Sequence, residues 1–328
     1  MSNRRWRGWL LVAGLVAFSA ASVQAADKVV FGTNWFAQAE HGGFYQAQAE
    51  GIYEKYGLDV EIRMGGPQIN GTQLLVSGRY DLLMGYPVGN VKAVEKGLPV
   101  VTVAAAMQSD PQALIAHPWI ESIEQIRDEK LPVYLAAFAH NTFWPWLKLE
   151  YGFTDDVVRP YTFSVAPFLN DTRIVQQGYL SSEPFAIEKG GVSPRVFLLS
   201  DYGYPPYATT IETTRSMIAE RPDVIRRFIQ ASMEGWKSYL ANPEPGNRLI
   251  MEANPEMTRE QIDYGIRKIK EYELVTGGDA ATMGIGVMTD ERWQQIFDFM
   301  VSSGLVSEDL DLSQVYTLEF LPEEPVLP

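Results

Sequence analysis

The feature that most constrains the fold of this chain is a compact alternation of structure signals within residues 31–62. The run FGTNWFAQAEHGGFYQAQAEGIYEKYGLDVEI predicts a strand ending near residue 32, a loop over 33–43, a helix over 43–56 and a second strand over 58–62. Gly57 provides the stop signal between helix and strand. A strand, a helix and another strand in so short a segment are typical of α/β folds with parallel strands.

The loop over 33–43 carries an unusual set of side chains for a simple connection. Asn34, Trp35, Phe36 and His41 combine aromatic faces with hydrogen-bonding groups. Loops at the carboxyl ends of sheet strands are where open α/β folds bind ligands, so these four residues are candidate ligand contacts. The alternative is that Trp35 and Phe36 fill a core, and their polar neighbours favour the ligand site.

The same alternation continues along the chain and divides into two sets. Two α/β sets joined by two crossings predict an α/β, two-lobed fold, in which each lobe is a mainly parallel sheet flanked by helices and the ligand cleft lies between them. After residue 222 the chain is expected to be almost wholly helical. The further strands are predicted over 80–84, 100–105, 113–116, 131–137, 159–163, 178–181 and 196–199, with a helix over 170–177.

The first 25 residues are typical of a secretory signal peptide. Arg4, Arg5 and Arg7 precede an apolar stretch over 9–21, which is too short to span a bilayer, and small residues lie at 23 and 25. We expect cleavage after Ala25, export to the periplasm and no membrane insertion of the mature chain. The alternative is an uncleaved anchor, and the sequence leaves open whether export follows the general or the twin-arginine route.

Composition excludes several classes of function. The formal net charge is −14, and removal of the three arginines makes it more negative, which argues against a nucleic-acid partner. The chain has no cysteine and only three scattered histidines, so neither a metal site nor a cofactor is predicted. No G-x-S-x-G or H-E-x-x-H motif occurs. We therefore expect a monomeric binding protein and no enzyme.

Two further loops of the first set are expected to face the cleft. The glycine-rich run over 65–71 follows the second strand, so Gly66 and Asn70 are candidate contacts, with a tight turn as the alternative. The run over 85–90 follows the third strand and offers Tyr86 and Asn90. For Tyr86 the alternative is ordinary packing at a hinge.

The second set contributes two more loops. His140, Asn141 and Thr142 lie between a predicted strand and a helix, where Asn141 or Thr142 also suits an N-cap. Tyr179 and Glu183 end another predicted strand. The Glu183 carboxylate could accept two N–H bonds from an aminopyrimidine-like edge. The alternative is that it stabilises a helix N-terminus.

With these motifs in view, the chain resembles periplasmic substrate-binding proteins of ABC importers, in the group that binds thiamine pyrimidine precursors, riboflavin, or alkanesulfonates, taurine and nitrate. The resemblance spans the mature chain. It rests on four blocks, which are NWFAQAEHGGFYQAQAEGIYEKYGLDVEI, GGPQINGTQLLVSGRYDLLMG, GYLSSEP and LLSDYGYPPYATTIET. The Trp-Phe pair followed by His-x-Gly-x-Tyr is similar to the thiamine-precursor branch, and riboflavin binders share much of this first block.

The resemblance implies a fold, a ligand class and partners. Lobe 1 would comprise residues 26–116 and 205–320, lobe 2 residues 117–204, and 321–328 a loose tail. Trp35 would stack on a planar ring and Glu183 would pair with ring nitrogen donors. The captured solute would pass unchanged to a permease and an ATPase. The related fungal pyrimidine synthases are enzymes with a cysteine-rich, iron-associated motif, which this cysteine-free sequence lacks.

Overall fold

The computed structural model describes residues 25–136 and 141–328, in which two five-stranded sheets are flanked by helices. The predicted signal peptide and His140 therefore fall outside the described residues, apart from Ala25. The strands are β1 Asp27–Gly32, β2 Leu58–Arg63, β3 Leu82–Gly85, β4 Val100–Met107, β5 Gln112–Ala116, β6 Val133–Leu135, β7 Val158–Pro160, β8 Val175–Tyr179, β9 Arg195–Leu198 and β10 Ala208–Thr214.

The helices cover both sheets and dominate the last third of the chain. They are α1 Gly42–Ala49, α2 Ile52–Lys55, α3 Gly71–Val76, α4 Pro87–Glu95, α5 Ile123–Asp128, α6 Trp144–Tyr151, α7 Ala166–Asn170, α8 Glu183–Lys189, α9 Arg215–Glu220, α10 Pro222–Ala241, α11 Glu244–Ala253, α12 Arg259–Glu271, α13 Ala280–Met283 and α14 Asp290–Ser302. Within the described parts of the chain, none of these helices has the length and apolar character needed to cross a membrane.

Each sheet is mixed, with two parallel and two antiparallel strand pairings. The first sheet has the order β2-β1-β3-β10-β4, and the second has the order β7-β6-β8-β5-β9. Strand β10 returns from the second sheet and pairs antiparallel with both β3 and β4. The α/β fold class is thus confirmed. The sheets are less parallel than predicted because each contains one antiparallel strand that lies next to a crossing between the sheets. This strand is β10 in the first sheet and β5 in the second.

Two glycines set the position of the loop after β1. An added Cβ at Gly235 of α10 would lie 2.3 Å from the carbonyl oxygen of Gly43 in α1, and one at Gly43 would lie 2.2 Å from the Trp236 ring. The two helices therefore cross in close contact over a core that includes Phe31 and Phe44. This crossing fixes the start of α1, and with it the loop that precedes it.

Three local predictions were wrong. The predicted helix over 43–56 is two helices, because Gly51 adopts a left-handed conformation with φ of 65° between α1 and α2. The predicted helix over 170–177 is replaced by α7, which ends earlier, and by strand β8. The tail is packed rather than loose, since Val326 is buried and its carbonyl accepts a hydrogen bond of 2.9 Å from the Ile285 N–H.

Candidate functional site

A cavity of about 310 Å³ lies where the strand ends of the two sheets meet. The first sheet contributes the loop after β1 and the residues at the end of β3, and the second contributes the start of β5 and the ends of β6, β7 and β8. The lining residues are Asn34, Trp35, Gln38, Glu40, His41, Met84, Tyr86, Gln112, Ala136, Asn141, Thr142, Phe163, Gln177, Gly178, Tyr179, Ser182 and Glu183. Clefts at the carboxyl ends of strands are the usual ligand sites of α/β folds.

One wall of the cavity is aromatic and is built from both lobes. The ring centroids of Trp35 and Phe163 are 5.2 Å apart with an interplanar angle of 43°, and Phe36 packs edge-on against Trp35 at 5.6 Å. Phe163 is 54% exposed and its φ of 60° lies in the left-handed region. A bulky side chain in that region is strained, and such strain is concentrated at binding and catalytic sites.

Asn34 is held in one orientation by His41. The Nδ1 atom of His41 accepts a hydrogen bond of 3.1 Å from the Gln38 N–H, so the ring proton is assigned to Nε2, which donates to Asn34 Oδ1 at 3.1 Å. Burial lowers the pKa of His41 to about 4, so the ring is neutral at physiological pH. With its oxygen engaged, the Asn34 amide has its NH₂ group free for the Tyr86 hydroxyl or for a ligand acceptor.

Glu183 places a carboxylate against the cavity. Its Oε2 accepts a hydrogen bond of 2.7 Å from the Tyr179 N–H, and its Oε1 accepts one of 3.4 Å from the Tyr161 hydroxyl. Burial raises the pKa of Glu183, and the two hydrogen bonds oppose that shift. Glu183 is also the first residue of α8, so it lies in the first turn of a helix as well as in the cavity wall.

A second carboxylate, that of Glu40, lines the same cavity from the opposite lobe. Glu40 is 3% exposed, and its Oε1 accepts a hydrogen bond from the Ser181 hydroxyl. Burial raises the pKa of Glu40, and the nearby Glu183 adds to that shift. Two partly compensated carboxylates therefore face one small space.

The two lobes also meet through a pair of tyrosines. The hydroxyl groups of Tyr86 and Tyr179 are hydrogen-bonded to each other. Behind them lies Asp110, at the first crossing between the sheets, where burial raises its pKa to about 7. Both Asp110 carboxylate oxygens accept hydrogen bonds of 2.9 Å from Gln112. The crossing and the cavity thus share one polar network.

Eight of the predicted site residues line this cavity. They are Asn34, Trp35, His41, Tyr86, Asn141, Thr142, Tyr179 and Glu183. Asn141 also fulfils its alternative role, because its Oδ1 accepts hydrogen bonds from the N–H groups of Phe143 and Trp144 at the start of α6.

The structure places four other candidates outside the cavity. Phe36 packs against the outer edge of Trp35, and a Cβ at Gly66 would lie 3.1 Å from the Phe36 ring. Asn70 caps α3 by accepting a 3.1 Å hydrogen bond from the Gln73 N–H. Asn90 is 2% exposed, and its Nδ2 donates hydrogen bonds to the Thr102 hydroxyl at 2.7 Å and to the Val315 carbonyl at 2.9 Å, both in the first lobe. His140 lies outside the described residues.

The sequence reasoning missed nine lining residues. Gln38 and Glu40 belong to a loop that was already singled out, and Phe163 is an aromatic residue just after a strand, which is the signal that identified Trp35. The others gave no comparable signal, because they become neighbours only when the sheets meet. They are Met84, Gln112, Ala136, Gln177, Gly178 and Ser182.

A second cavity of about 480 Å³ adjoins the first on the side of lobe 1. The loops over 65–71 and 85–89 form it, and it shares Asn34, Met84, Tyr86 and Thr142 with the first cavity. Glu212 of β10 lies at its base, where burial raises its pKa to about 8. Asn70 therefore lies beside this second cavity.

The two sheets and the cavity between them define the periplasmic-binding-protein fold. The periplasmic aliphatic sulphonate-binding protein SsuA of Escherichia coli superimposes with a TM-score of 0.64 at 14% identity, over 88% of this chain and 91% of that one. Residues 38–245 match the family described as NMT1/THI5 like. The chain belongs to this family, as the resemblance in the sequence implied.

Three relatives have names that differ in activity. The riboflavin-binding protein RibY of Chloroflexus aurantiacus is 24% identical, over 90% of this chain and 86% of its own. A 4-amino-5-hydroxymethyl-2-methylpyrimidine phosphate synthase of Legionella pneumophila is 20% identical, over 91% and 94%. The formylaminopyrimidine-binding protein of Halalkalibacterium halodurans is 23% identical, over 89% and 90%. The relatives of this chain thus include proteins named as binders and a protein named as an enzyme.

Proposed function

We propose that this protein is the solute-binding component of an ABC importer that captures a small planar nitrogen heterocycle, a pyrimidine precursor of thiamine, in the periplasm. It would release the unchanged solute to a permease and its ATPase. The observation that carries the proposal is the placement of the Glu183 carboxylate and the aromatic surface of Trp35 and Phe163 in one cavity. A flat ring that carries N–H donors on its edge is the ligand that satisfies both features.

The ring would be held by stacking on one side and by hydrogen bonds at its edge. Trp35 offers a large apolar face at little cost in conformational entropy, and aromatic stacking adds about 0.5–1.5 kcal/mol to area burial. Glu183 keeps two acceptor oxygens, and charge-assisted bonds are roughly twice as strong as neutral ones. The Asn34 amide, oriented by His41, supplies an N–H donor for a ring nitrogen.

The size of the cavity favours a single ring. Its volume of about 310 Å³ is at the lower end of small-molecule sites, which span roughly 300–1,000 Å³. A one-ring pyrimidine fits this volume better than a three-ring flavin with a polyol chain.

Riboflavin is the second candidate, and the adjoining cavity is the observation that favours it. The two cavities share four residues, so a large ligand could place its ring system against Trp35 and its chain along the loops over 65–71 and 85–89. The relative named as a riboflavin binder supports the same reading. Opening of the wall between the cavities would be required.

Contacts between the lobes support a binding protein that closes around its ligand. Besides the Tyr86–Tyr179 pair, Lys189 of α8 forms an ion pair of 2.7 Å with Glu260 of α12, and Phe185 packs against Tyr264 at 5.5 Å. These contacts lie beside the cavity and join α8, which begins with Glu183, to the helices of the first lobe. Such closure presents a liganded form that a permease can distinguish from the empty one.

Isothermal titration calorimetry with three compounds tests the ligand. We expect 4-amino-5-hydroxymethyl-2-methylpyrimidine to bind with a micromolar or lower Kd, riboflavin more weakly and taurine not at all. Tighter binding of riboflavin would establish the second candidate, and binding of taurine alone would overturn both.

Mass analysis of the bound compound separates a binder from an enzyme. After long incubation we expect the pyrimidine to be recovered unchanged. A new mass that depends on the intact cavity, and is lost in Glu183→Gln, would contradict a pure transport role.

A further inference from the structure

The cavity is acidic in a way that the proposed function does not use. Its charged lining residues, among those the structure describes, are Glu40 and Glu183, and no lysine or arginine joins them. His41 is buried and neutral, with its Nδ1 occupied by the Gln38 N–H, so it adds no positive charge. Asp110 adds a third carboxyl one layer behind Gln112.

Glu40 is the more informative of the two carboxylates. Glu40 is 3% exposed, and one of its carboxylate oxygens accepts a hydrogen bond from the Ser181 hydroxyl of the opposite lobe. Among the described residues, no other side chain donates a hydrogen bond to this carboxylate, and its own backbone N–H is the remaining donor. A buried carboxylate without a cationic partner is costly unless a ligand compensates it.

The Glu40 and Glu183 carboxylates line one cavity and repel each other when both are ionised. An uncharged ligand would leave that repulsion in place, and an anionic ligand would increase it. A cation between them would relieve the repulsion and give the buried Glu40 carboxylate a charged partner. The aromatic faces of Trp35 and Phe163 also favour a positive charge, because the ring quadrupole is negative above the ring plane.

We infer that Glu40 and Glu183 together select a cationic ligand: an aromatic heterocycle that bears an ammonium or other positive group, with Glu40 binding the charge and Glu183 the ring edge. Phosphorylated, carboxylated and sulfonated compounds are rejected by the same pair. This inference rests on the proposed function for the nature of the ring. It adds the charge of the ligand and a specificity-determining role for Glu40.

A matched series of ligands tests the charge separately from the ring. The first set shares one pyrimidine ring and differs in the group on its side arm: 4-amino-5-aminomethyl-2-methylpyrimidine, the hydroxymethyl compound and the hydroxymethyl phosphate. The second set lacks the ring nitrogens: benzylamine, benzyl alcohol and benzyl phosphate. Calorimetry at pH 7 gives the Kd of each compound for the full-length mature chain.

We expect the ammonium compound of the pyrimidine set to bind at least tenfold more tightly than the hydroxymethyl compound, and the phosphate to bind at least a hundredfold more weakly. Benzylamine should likewise bind more tightly than benzyl alcohol. If the cationic, neutral and anionic compounds of a set that binds have equal affinities, the inference is overturned. If the benzene set alone binds and discriminates by charge, the pyrimidine proposal fails and the charge inference stands. If nothing binds in either set, both fail.

Variants of Glu40 locate the effect. Glu40→Gln keeps the size and an acceptor for Ser181 but removes the charge. The preference for the ammonium compound over the hydroxymethyl compound, measured as the ratio of their Kd values in this variant, should therefore fall below threefold. Glu40→Asp retains the charge and should restore most of the preference. Glu121→Gln makes the same change of charge at an exposed position outside the cavity and should change nothing. An undiminished preference in a folded Glu40→Gln protein would refute the role of Glu40.

Discussion

Removal of the Trp35 ring is the most direct test of the aromatic wall. Trp35 is partly exposed, is absent from the buried cores, and packs against the rings of Phe36 and Phe163 at the cavity wall. Trp35→Ala should therefore leave the fold intact, with a melting temperature within a few degrees of wild type. Its effect should appear in ligand affinity.

The magnitude follows from the area that the ring offers. A tryptophan side chain can bury about 150–250 Å², and a one-ring ligand covers on the order of 60 Å² of that surface. At about 25 cal/mol per Å² this is roughly 1.5 kcal/mol, and stacking adds about 0.5–1.5 kcal/mol. Because water and neighbouring side chains can fill part of the vacated space, we expect a loss of at least about 1.4 kcal/mol, or tenfold in Kd.

Calorimetric titration with 4-amino-5-hydroxymethyl-2-methylpyrimidine measures the loss, and a second tryptophan provides the control. Trp119 is 41% exposed, and its Nε1 donates a 2.9 Å hydrogen bond to the Thr172 carbonyl, away from the cavity. Trp119→Ala should not change the Kd, whereas Trp35→Phe should retain most of the affinity. A Kd for Trp35→Ala within twofold of wild type would remove Trp35 from the ligand site.

Three other substitutions test the structural reasoning. Asn90→Ala should lower the free energy of unfolding in urea by about 1–3 kcal/mol, because two buried oxygens lose their donor, and an unchanged ligand Kd would distinguish this role from the predicted ligand contact. Gly43→Ala should lower the free energy of unfolding by at least about 2 kcal/mol, since its Cβ would lie 2.2 Å from the Trp236 ring. The control Gly89→Ala lies in a helix with open space around it and should leave the free energy of unfolding unchanged or raise it by up to about 1 kcal/mol. Equal effects in the two variants would refute the helix-crossing argument. Asp110→Asn tests pH dependence: the folded-state pKa of about 7 exceeds the unfolded value near 3.8, so the folded state binds more protons and wild-type stability falls as pH rises from about 4 to 7. The stability of Asp110→Asn relative to wild type should therefore be higher at pH 8 than at pH 5, by about 1–3 kcal/mol in chemical denaturation, and a difference that does not vary with pH would contradict the raised pKa.

The sequence predicted most elements because local signals and tertiary packing agree in them. The segment over 31–62 has the predicted order of strand, loop, helical region and strand, since glycines mark its turns and buried apolar residues alternate with exposed charged ones along β2. The strand predicted over 178–181 begins three residues earlier, as β8, because Gln176 and Gln177, which were assigned to a helix, are polar and form helices well. The central position of β8 in the second sheet overrides that preference, and Gln177 is used at the cavity, where its Oε1 accepts hydrogen bonds from the Ala136 N–H and the Asn141 amide.

The candidate site residues also differ in how well their positions could be predicted. The position of Trp35, Tyr86 and Glu183 in the cavity wall could be predicted because each lies shortly after a strand, and strand ends of a sheet converge at one edge. Asn90 failed the same rule because it lies one helical turn further on, and its side chain is directed back into the first lobe. Proximity in the sequence to a strand end therefore did not by itself identify the residues that line the cavity, since Phe36 and Gly66 also follow strands and lie outside it.

The role of Glu40 could not be read from the sequence for a different reason. Its burial and its hydrogen bond come from Ser181, which lies 141 positions away in the opposite lobe. Only the meeting of the lobes turns a loop carboxylate into a desolvated one, and the same meeting brings Glu183 close enough to raise its pKa further. The proposed charge preference therefore depends on residues of both lobes. A ligand that compensates the two carboxylates would contact both lobes at once, so in this cavity ligand selection and the joining of the lobes would rest on the same interaction.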